Sequence, residues 1–418
     1  MTSESDPWTV YEHVAPAFHP RTSRRGVRDP QTSKLSLHVK EYRCLSPEDA
    51  SGKDAITIIF AHGCGSVKEE YEPFFSDLLK SPSVPPVRAI WAADIVGHGQ
   101  SFRLNRDELG DDVDWFDSAR DIMSLVNYFR DSMAPPLVGM GQSWGAVAIL
   151  ANAAWHPRFF QAIVAIEPTI GQMPERKKTG EQSSMSLVHT ILTLKDSWPS
   201  KEAARTYFER SPYYSTFDKR VLDKVIEYEI QGAREGSEEV ISNVPKLQQF
   251  MLTSRCDPPL RGVPPTEDYA TRPPETIRAG AFYRTEGVKL KQMMLGIHCQ
   301  TLYLWSRDDS FISDEHYRNR VVSVTGTGLG GAGGEATGQV TQDFVEVGRH
   351  ALPFQNPTGT AAHVARYLAG IYAWWRDEEE KRKLDAPVDP VTVPEEVFQR
   401  ASKASGKVSS VVERPTKL

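Results

Sequence analysis

Between residues 55 and 168 continuous apolar runs alternate with stretches of helical spacing. "AITIIFAHG" (55–63) is β-branched and ends in glycine, "VRAIWAADIVGHG" (87–99) is a second such run, and "FFQAIVAIEP" (159–168) a third. Apolar runs this short, without polar alternation, predict strands buried on both faces of a parallel sheet. "YEPFFSDLLKS" (71–81) and "DSARDIMSLVNYFRDSM" (117–133) have helical spacing, and "PPLVGMGQSWGAVAILANAAW" (135–155) reads as strand, sharp turn and helix. Strands and helices in alternation imply right-handed βαβ crossovers. Upstream, "KLSLHVKEYRCL" (34–45) alternates apolar and polar residues like a half-buried antiparallel strand, and "SPEDASGKD" is turn chemistry. Residues 1–33 are rich in Pro, Arg and Ser without a sustained period, and are expected to be an extension over the surface.

After Pro168 the alternation stops. Residues 171–290 carry mixed helical periods ("SSMSLVHTILTL", "KEAARTYFERS", "KRVLDKVIEYEIQ") and Pro-rich joints, which predicts a helical cap inserted between sheet strands. The sheet resumes in "HCQTLYLWSRDD" (298–309), followed by a helix near 313–322, a strand in "QDFVEVGRH" (342–350) and a long helix over 360–384. The glycine-rich stretch 326–338 lacks the strand and GK[ST] context of a phosphate loop and is expected to be a mobile surface loop. The reading is an α/β fold: a mostly parallel central sheet with helices on both faces, its halves at 34–170 and 291–384, and an exposed tail at 385–418.

Composition narrows the function. Apolar and aromatic residues make up 39% of 418, as in a globular chain, and a net charge of −6 without a long basic run disfavours a nucleic-acid partner. Cys44, Cys64, Cys256 and Cys299 are scattered without a CxxC pair, so neither zinc nor a disulfide framework is expected, and a reducing compartment fits. The N-terminus has no basic start and apolar stretch, and no segment has eighteen unbroken apolar residues, so the chain reads as not secreted and without a transmembrane segment. Thr416, Lys417 and Leu418 differ in one side chain from the Ser-Lys-Leu peroxisomal address, which would make the import receptor a partner; the alternative location is the cytoplasm.

"GQSWG" matches G-x-S-x-G where a strand gives way to a helix. There a serine can sit on a strained elbow, flanked by residues small enough to avoid neighbouring strands, with helix N–H groups pointing at a developing oxyanion. Ser143 is the candidate nucleophile. In "FAHGCG" the backbone N–H of Cys64 can join that of Trp144 as the two oxyanion donors, while His62 reads as a structural residue bonding the loop. Cys64 has no basic neighbour in sequence to activate it as a nucleophile. Of eleven histidines, His350 in "VGRHALPF" follows a strand near the C-terminal end, where a general base belongs. His363 lies within a helix, and His98 sits in a turn fastened by Asp94 and Ser101. The acid that orients the base has two candidates: Glu167, ending the next strand after the elbow, and Asp309, beside Asp308 at the end of "TLYLWSRDD". Their structural alternatives are a turn cap at Glu167 and a helix N-cap at the aspartates.

In this order "HGCG", "DIVGHGQS", "GQSWG" and "GRHALPF" resemble the α/β-hydrolase superfamily over about residues 50–380. The Arg-rich lead, "AHGCGSVKEEYEPFF", the cap and the tail resemble a fungal branch of peroxisomal lipase-like, toxin-biosynthesis and mycophenolic-acid-pathway acyl-CoA hydrolases. That resemblance implies an α/β-hydrolase fold and an acid after the strand that follows the elbow. It therefore ranks Glu167 ahead of Asp309, although this chain has Glu where the branch has Asp.

The expected activity is that of a serine hydrolase without metal or cofactor, with an acyl-enzyme on Ser143 and His350 as base. The resemblance points to an acyl-CoA or related thioester of secondary-metabolite or fatty-acyl metabolism. Trp144, Met140, Trp198, Tyr213 and Tyr214 are candidates for an apolar acyl pocket, with plain core as the alternative for each, and "RKK" (176–178) for coenzyme A phosphates, with a solvated charge run as its alternative. The alternatives are a carboxylesterase or lipase on neutral esters and a non-catalytic binding protein on the same scaffold. A homodimer is left open beside a monomer.

Overall fold

The computed structural model describes residues 6–44, 54–170, 183–234, 236–256, 282–284, 286–308, 314–384 and 390–405. The chain divides into two units, residues 1–372 and 373–418.

The first unit is built on an eight-stranded sheet. Its strands are β1 (Trp8–Pro16), β2 (Ser36–Cys44), β3 (Ile56–Ala61), β4 (Val87–Ala93), β5 (Leu137–Gln142), β6 (Ala162–Ile166), β7 (Gln300–Ser306) and β8 (Val340–Val345). They lie in the order β1-β2-β4-β3-β5-β6-β7-β8. The pairs β1/β2 and β2/β4 are antiparallel, and every other neighbouring pair is parallel.

Every residue of β3, β5 and β6 is buried, which explains their unbroken apolar sequences. One face packs on helices α1 (Glu72–Leu79) and α8 (Pro357–Leu384), with Phe60, Phe74, Phe75, Val138 and Val364 in a common cluster. The other packs on α2 (Trp115–Tyr128) and α3 (Trp144–Trp155), through Ile59, Ala119, Ile122, Val147 and Leu150. Each such Val, Ile, Leu or Phe side chain contributes about 1.5–3 kcal/mol when taken fully out of water, so a polar residue on either face is costly. In α8 the buried positions are Pro357, Thr360, Ala361, Val364, Ala365 and Leu368, a helical stripe.

The structure departs from the sequence pattern in four places. Residues 8–16, expected as part of a surface extension, form β1 and pair with β2 over nine residues; as an edge strand β1 keeps most of its side chains in solvent and shows no apolar period. β2 is not half-buried, because Lys40 and Glu41 are buried along with Tyr42. Lys40 Nζ lies 3.2 Å from Glu69 and 3.5 Å from Glu72 in a buried charge cluster that also contains Lys68 and Asp94, 2.7 Å apart.

Between β6 and β7 the chain is not helical alone. Ser197–Trp198, Ile230–Gly232 and Val240–Ser242 make a small antiparallel sheet beside helices α4 (Lys201–Arg210) and α5 (Lys246–Thr253). Strands of two or three residues are too short to show a period. Finally, the glycine stretch 326–338 is folded around Gln339, whose amide donates to the carbonyls of Ile297 and Cys299 and whose Oε1 accepts from Gly334 N–H. Five of its glycines have positive φ, which accounts for the composition.

Beyond residue 372 the second unit contains the end of α8 and a helix at Glu395–Ala404. Among the described residues no helix is long and apolar enough to cross a membrane.

Candidate active site

Ser143 stands between β5 and α3 with φ 53° and ψ −118°, a conformation that costs an L-residue about 1–3 kcal/mol. Its N–H donates to the Ile166 carbonyl at 2.8 Å, which ties the elbow to β6. The flanking glycines are required by contact. A Cβ on Gly145 would lie 2.1 Å from the carbonyl oxygen of Ala61, and one on Gly141 would lie 2.7 Å from the backbone N of Ala146. Neither partner can rotate away, since both are main chain. The elbow therefore packs directly on the end of β3, the strand that leads into "HGCG".

His350 follows β8 in a loop and brings Nε2 to 2.8 Å from Ser143 Oγ. On the far side of the ring Nδ1 lies 3.3 Å from Glu167 Oε2. Glu167 is fully buried, has φ 45°, and accepts the Ser306 N–H on Oε1 at 2.7 Å. The turn that carries it is held from α7 (Glu315–Val324): Tyr317 Oη donates to the Pro168 carbonyl at 2.8 Å and accepts from Ile170 N–H at 2.6 Å. A hydroxyl, an imidazole and a carboxylate thus form one hydrogen-bonded line across three strand ends.

The histidines of the neighbouring loops have structural partners. His62 donates from Nδ1 to the Gly63 carbonyl at 2.8 Å and accepts the Ile95 N–H on Nε2 at 2.9 Å, which commits both ring nitrogens and fits the neutral form. Burial also pushes its pKa down. His98 accepts from Gly65 N–H, and burial pushes its pKa down to about 3. Ser101 Oγ donates to the Asp94 carbonyl, as the turn requires, and His363 pairs with Asp343 at 2.6 Å.

The other sequence candidates separate clearly. Cys64 is half-buried, its Sγ faces the Gln249 carbonyl at 3.7 Å, and burial pushes its thiol up to about 12, far from a thiolate. The Trp144 indole is buried edge-on to Trp115 in the core, so only its backbone N–H, in the first turn of α3, faces the role assigned to it. Met140 is corrected as a pocket residue. It is fully buried in the cluster beneath the sheet, because its position on β5 points it into the same layer as Val138 and Phe60. Trp198 belongs to a separate core with Phe208 and Val225, whereas Tyr213 is half exposed and Tyr214 partly buried against Phe208.

Asp308 is exposed. The N-cap expected of the aspartate pair is supplied by Asp314, which accepts from Tyr317 N–H at 2.8 Å. Asp309, the Arg176–Lys178 run and the Thr416–Leu418 tripeptide lie outside the described residues.

Sequence reading missed Tyr71 and Gln142. Tyr71 Oη accepts the Gly63 N–H at 3.0 Å and donates to Gln142 Oε1 at 2.9 Å, and Gln142 Nε2 donates to the His350 carbonyl at 3.0 Å. Gln142 was visible as the first variable position of "GQSWG", but its partners lie 71 and 208 residues away.

Comparison with known proteins gives the family and the fold. The model of the alpha/beta hydrolase family matches residues 58–363. The type I acyl-CoA thioesterase mpaH of Penicillium brevicompactum is 29% identical over 403 residues, covering 90% of this chain and 89% of that protein. The abhydrolase domain-containing protein AFT2-1 of Alternaria alternata is 24% identical over 254 residues, 59% of this chain and 86% of its own. Among solved structures, the peroxisomal alpha-beta-hydrolase Lpx1 of Saccharomyces cerevisiae superposes with a TM-score of 0.68 at 16% identity, covering 96% of this chain and 98% of Lpx1, a likeness of fold. With the family match spanning both sheet halves and the elbow, the chain belongs to the alpha/beta hydrolase family and is a hydrolase enzyme.

Proposed function

We propose that the chain is a serine hydrolase that cleaves acyl thioesters, with an acyl-coenzyme A as the substrate class. The observation that carries this is the continuous line from Ser143 Oγ through His350 to Glu167. Ser143 Oγ attacks the thioester carbonyl carbon as His350 Nε2 takes its proton. Glu167 holds the Nδ1–H tautomer and stabilises the imidazolium, and the backbone N–H groups of Cys64 and Trp144 receive the oxyanion. Collapse breaks the carbon–sulfur bond, and His350 returns the proton to the departing thiolate. Water, activated by the same imidazole, then releases the acid from the acyl-enzyme.

The thioester preference rests on the mpaH relatives, which match nine-tenths of this chain. The segment between β6 and β7 is assigned the acyl pocket, with Tyr213 and Tyr214 as its remaining aromatic candidates. A peroxisomal location is supported by the yeast relative, the peroxisomal membrane protein LPX1, 24% identical over 42% of this chain. A fluorescent protein fused ahead of residue 1 should colocalise with a peroxisomal marker; a uniform cytosolic signal would remove this part of the proposal.

The enzymatic proposal is tested by intact-mass analysis after brief fluorophosphonate exposure, with parallel hydrolysis of matched acyl-CoA and oxoester substrates. One adduct on the peptide containing Ser143 and faster thioester turnover are expected. Faster oxoester turnover would make the protein a carboxylesterase. A folded protein with neither adduct nor turnover would favour a binding function.

A further inference from the structure

We propose that Gln142 and Tyr71 are positioning residues that hold the oxyanion loop, the nucleophile elbow and the His350 loop in one register; this rests on the serine-hydrolase reading. The three catalytic elements come from different strand ends: Gly63 and Cys64 after β3, Ser143 after β5, and His350 after β8. The Gly63 N–H donates to Tyr71 Oη, Tyr71 donates to Gln142 Oε1, and Gln142 Nε2 donates to the main-chain carbonyl of His350 itself. Ser66 Oγ returns to the Gly63 carbonyl at 2.9 Å and closes the loop on itself.

The chemistry of this bridge demands these side chains. A carboxamide carries an acceptor and a donor in one plane, and Gln142 uses one for each loop. Tyr71 is fully buried and Gln142 is 4% exposed, so neither bond competes freely with water. Burial also pushes the Tyr71 phenol pKa up, which keeps its proton available for Gln142. The bridge lies close against Gly63: a Cβ there would stand 2.3 Å from Gln142 Oε1 and would push the amide out of its place. The Tyr71 ring is fixed between Phe60 and Phe354, each with its ring centre 4.6 Å away, and Phe354 lies on the short helix directly after His350. Tyr71 therefore touches the His350 loop by packing and the oxyanion loop by hydrogen bond.

Neither residue is placed to touch substrate. Their effect is on the spacing of Ser143 Oγ, His350 Nε2 and the oxyanion donors, where small displacements are expensive in rate. The test compares wild type with Tyr71→Phe, Gln142→Met and Gln142→Glu, with kcat expressed per fluorophosphonate-titrated serine so that unfolded protein does not register. Tyr71→Phe keeps the ring packing and serves if a Gln142 variant does not fold.

Tyr71→Phe and Gln142→Met should each lower kcat by about 10- to 100-fold with little change in KM. The double variant should lose no more than the worse single, because the two residues belong to one chain of bonds. Gln142→Glu can serve both loops only when its carboxyl is protonated, so its deficit relative to wild type should narrow toward acid pH. A wild type not labelled at Ser143 overturns the serine reading and this proposal with it. A labelled wild type whose variants keep kcat within about twofold, or lose only in KM, overturns the positioning role alone.

Discussion

Ser143→Ala should lower kcat on an acyl-CoA by about a million-fold, the scale of loss when a triad nucleophile is removed, while the protein stays folded. The fold should survive because the features that hold the elbow are not in the hydroxyl. Gly141 and Gly145 provide the close approach to β3, and the main-chain N–H of residue 143 bonds Ile166. Alanine meets the same backbone strain at φ 53° as serine does. What disappears is the hydroxyl oxygen that lies 2.8 Å from His350 Nε2. Thiol release from acyl-CoA, followed over hours with a thiol reagent, measures this. Residual turnover above about a thousandth of wild type would mean that the acyl group is not carried on Ser143.

Glu167→Gln is expected to cost about 10⁴ in kcat, the magnitude seen when the orienting acid of a triad becomes an amide, and Asp309→Asn no more than a few-fold. The reason is in the two carboxylate oxygens. Oε1 is committed to the Ser306 N–H at 2.7 Å, so an amide must put its oxygen there and turn its NH₂ toward His350 Nδ1. That donor selects the imidazole tautomer with hydrogen on Nε2, the nitrogen that has to accept the Ser143 proton. Steady-state kinetics of both variants, each confirmed folded by its unfolding transition, checks the ranking. The reverse ranking would transfer the acid to Asp309.

Much of this site was legible residue by residue. The glycine pair around Ser143 is a local steric demand, so it is written into adjacent letters. The strand-to-helix change around it is a change of period, and periods are local too. His350 could be singled out among eleven histidines because it follows a predicted strand and precedes a loop and helix. From the residues alone the acid could be narrowed only to two strand ends, since preferring Glu167 requires its Oε2 to meet His350 Nδ1, 183 residues later. Met140 and Trp144 were misassigned as pocket residues for a related reason. Nearness to a nucleophile along the chain does not tell which face of a strand or helix looks into the site, and here Met140 and the Trp144 ring look into the core.

The sequence by itself determined the fold class and the elbow, and singled out Ser143 and His350 as the candidate nucleophile and base, because apolar periodicity and backbone sterics act over a few residues. The tertiary structure decided the rest: that residues 8–16 complete the sheet as its edge, that Lys40 and Glu41 are buried, and that Glu167 reaches the imidazole. It also decided that Tyr71 and Gln142 join the catalytic loops. Each depends on a contact between chain segments far apart in sequence. Hydrogen bonds and ion pairs of that kind have directions set by the crossing of strands, and leave no period for the sequence to show.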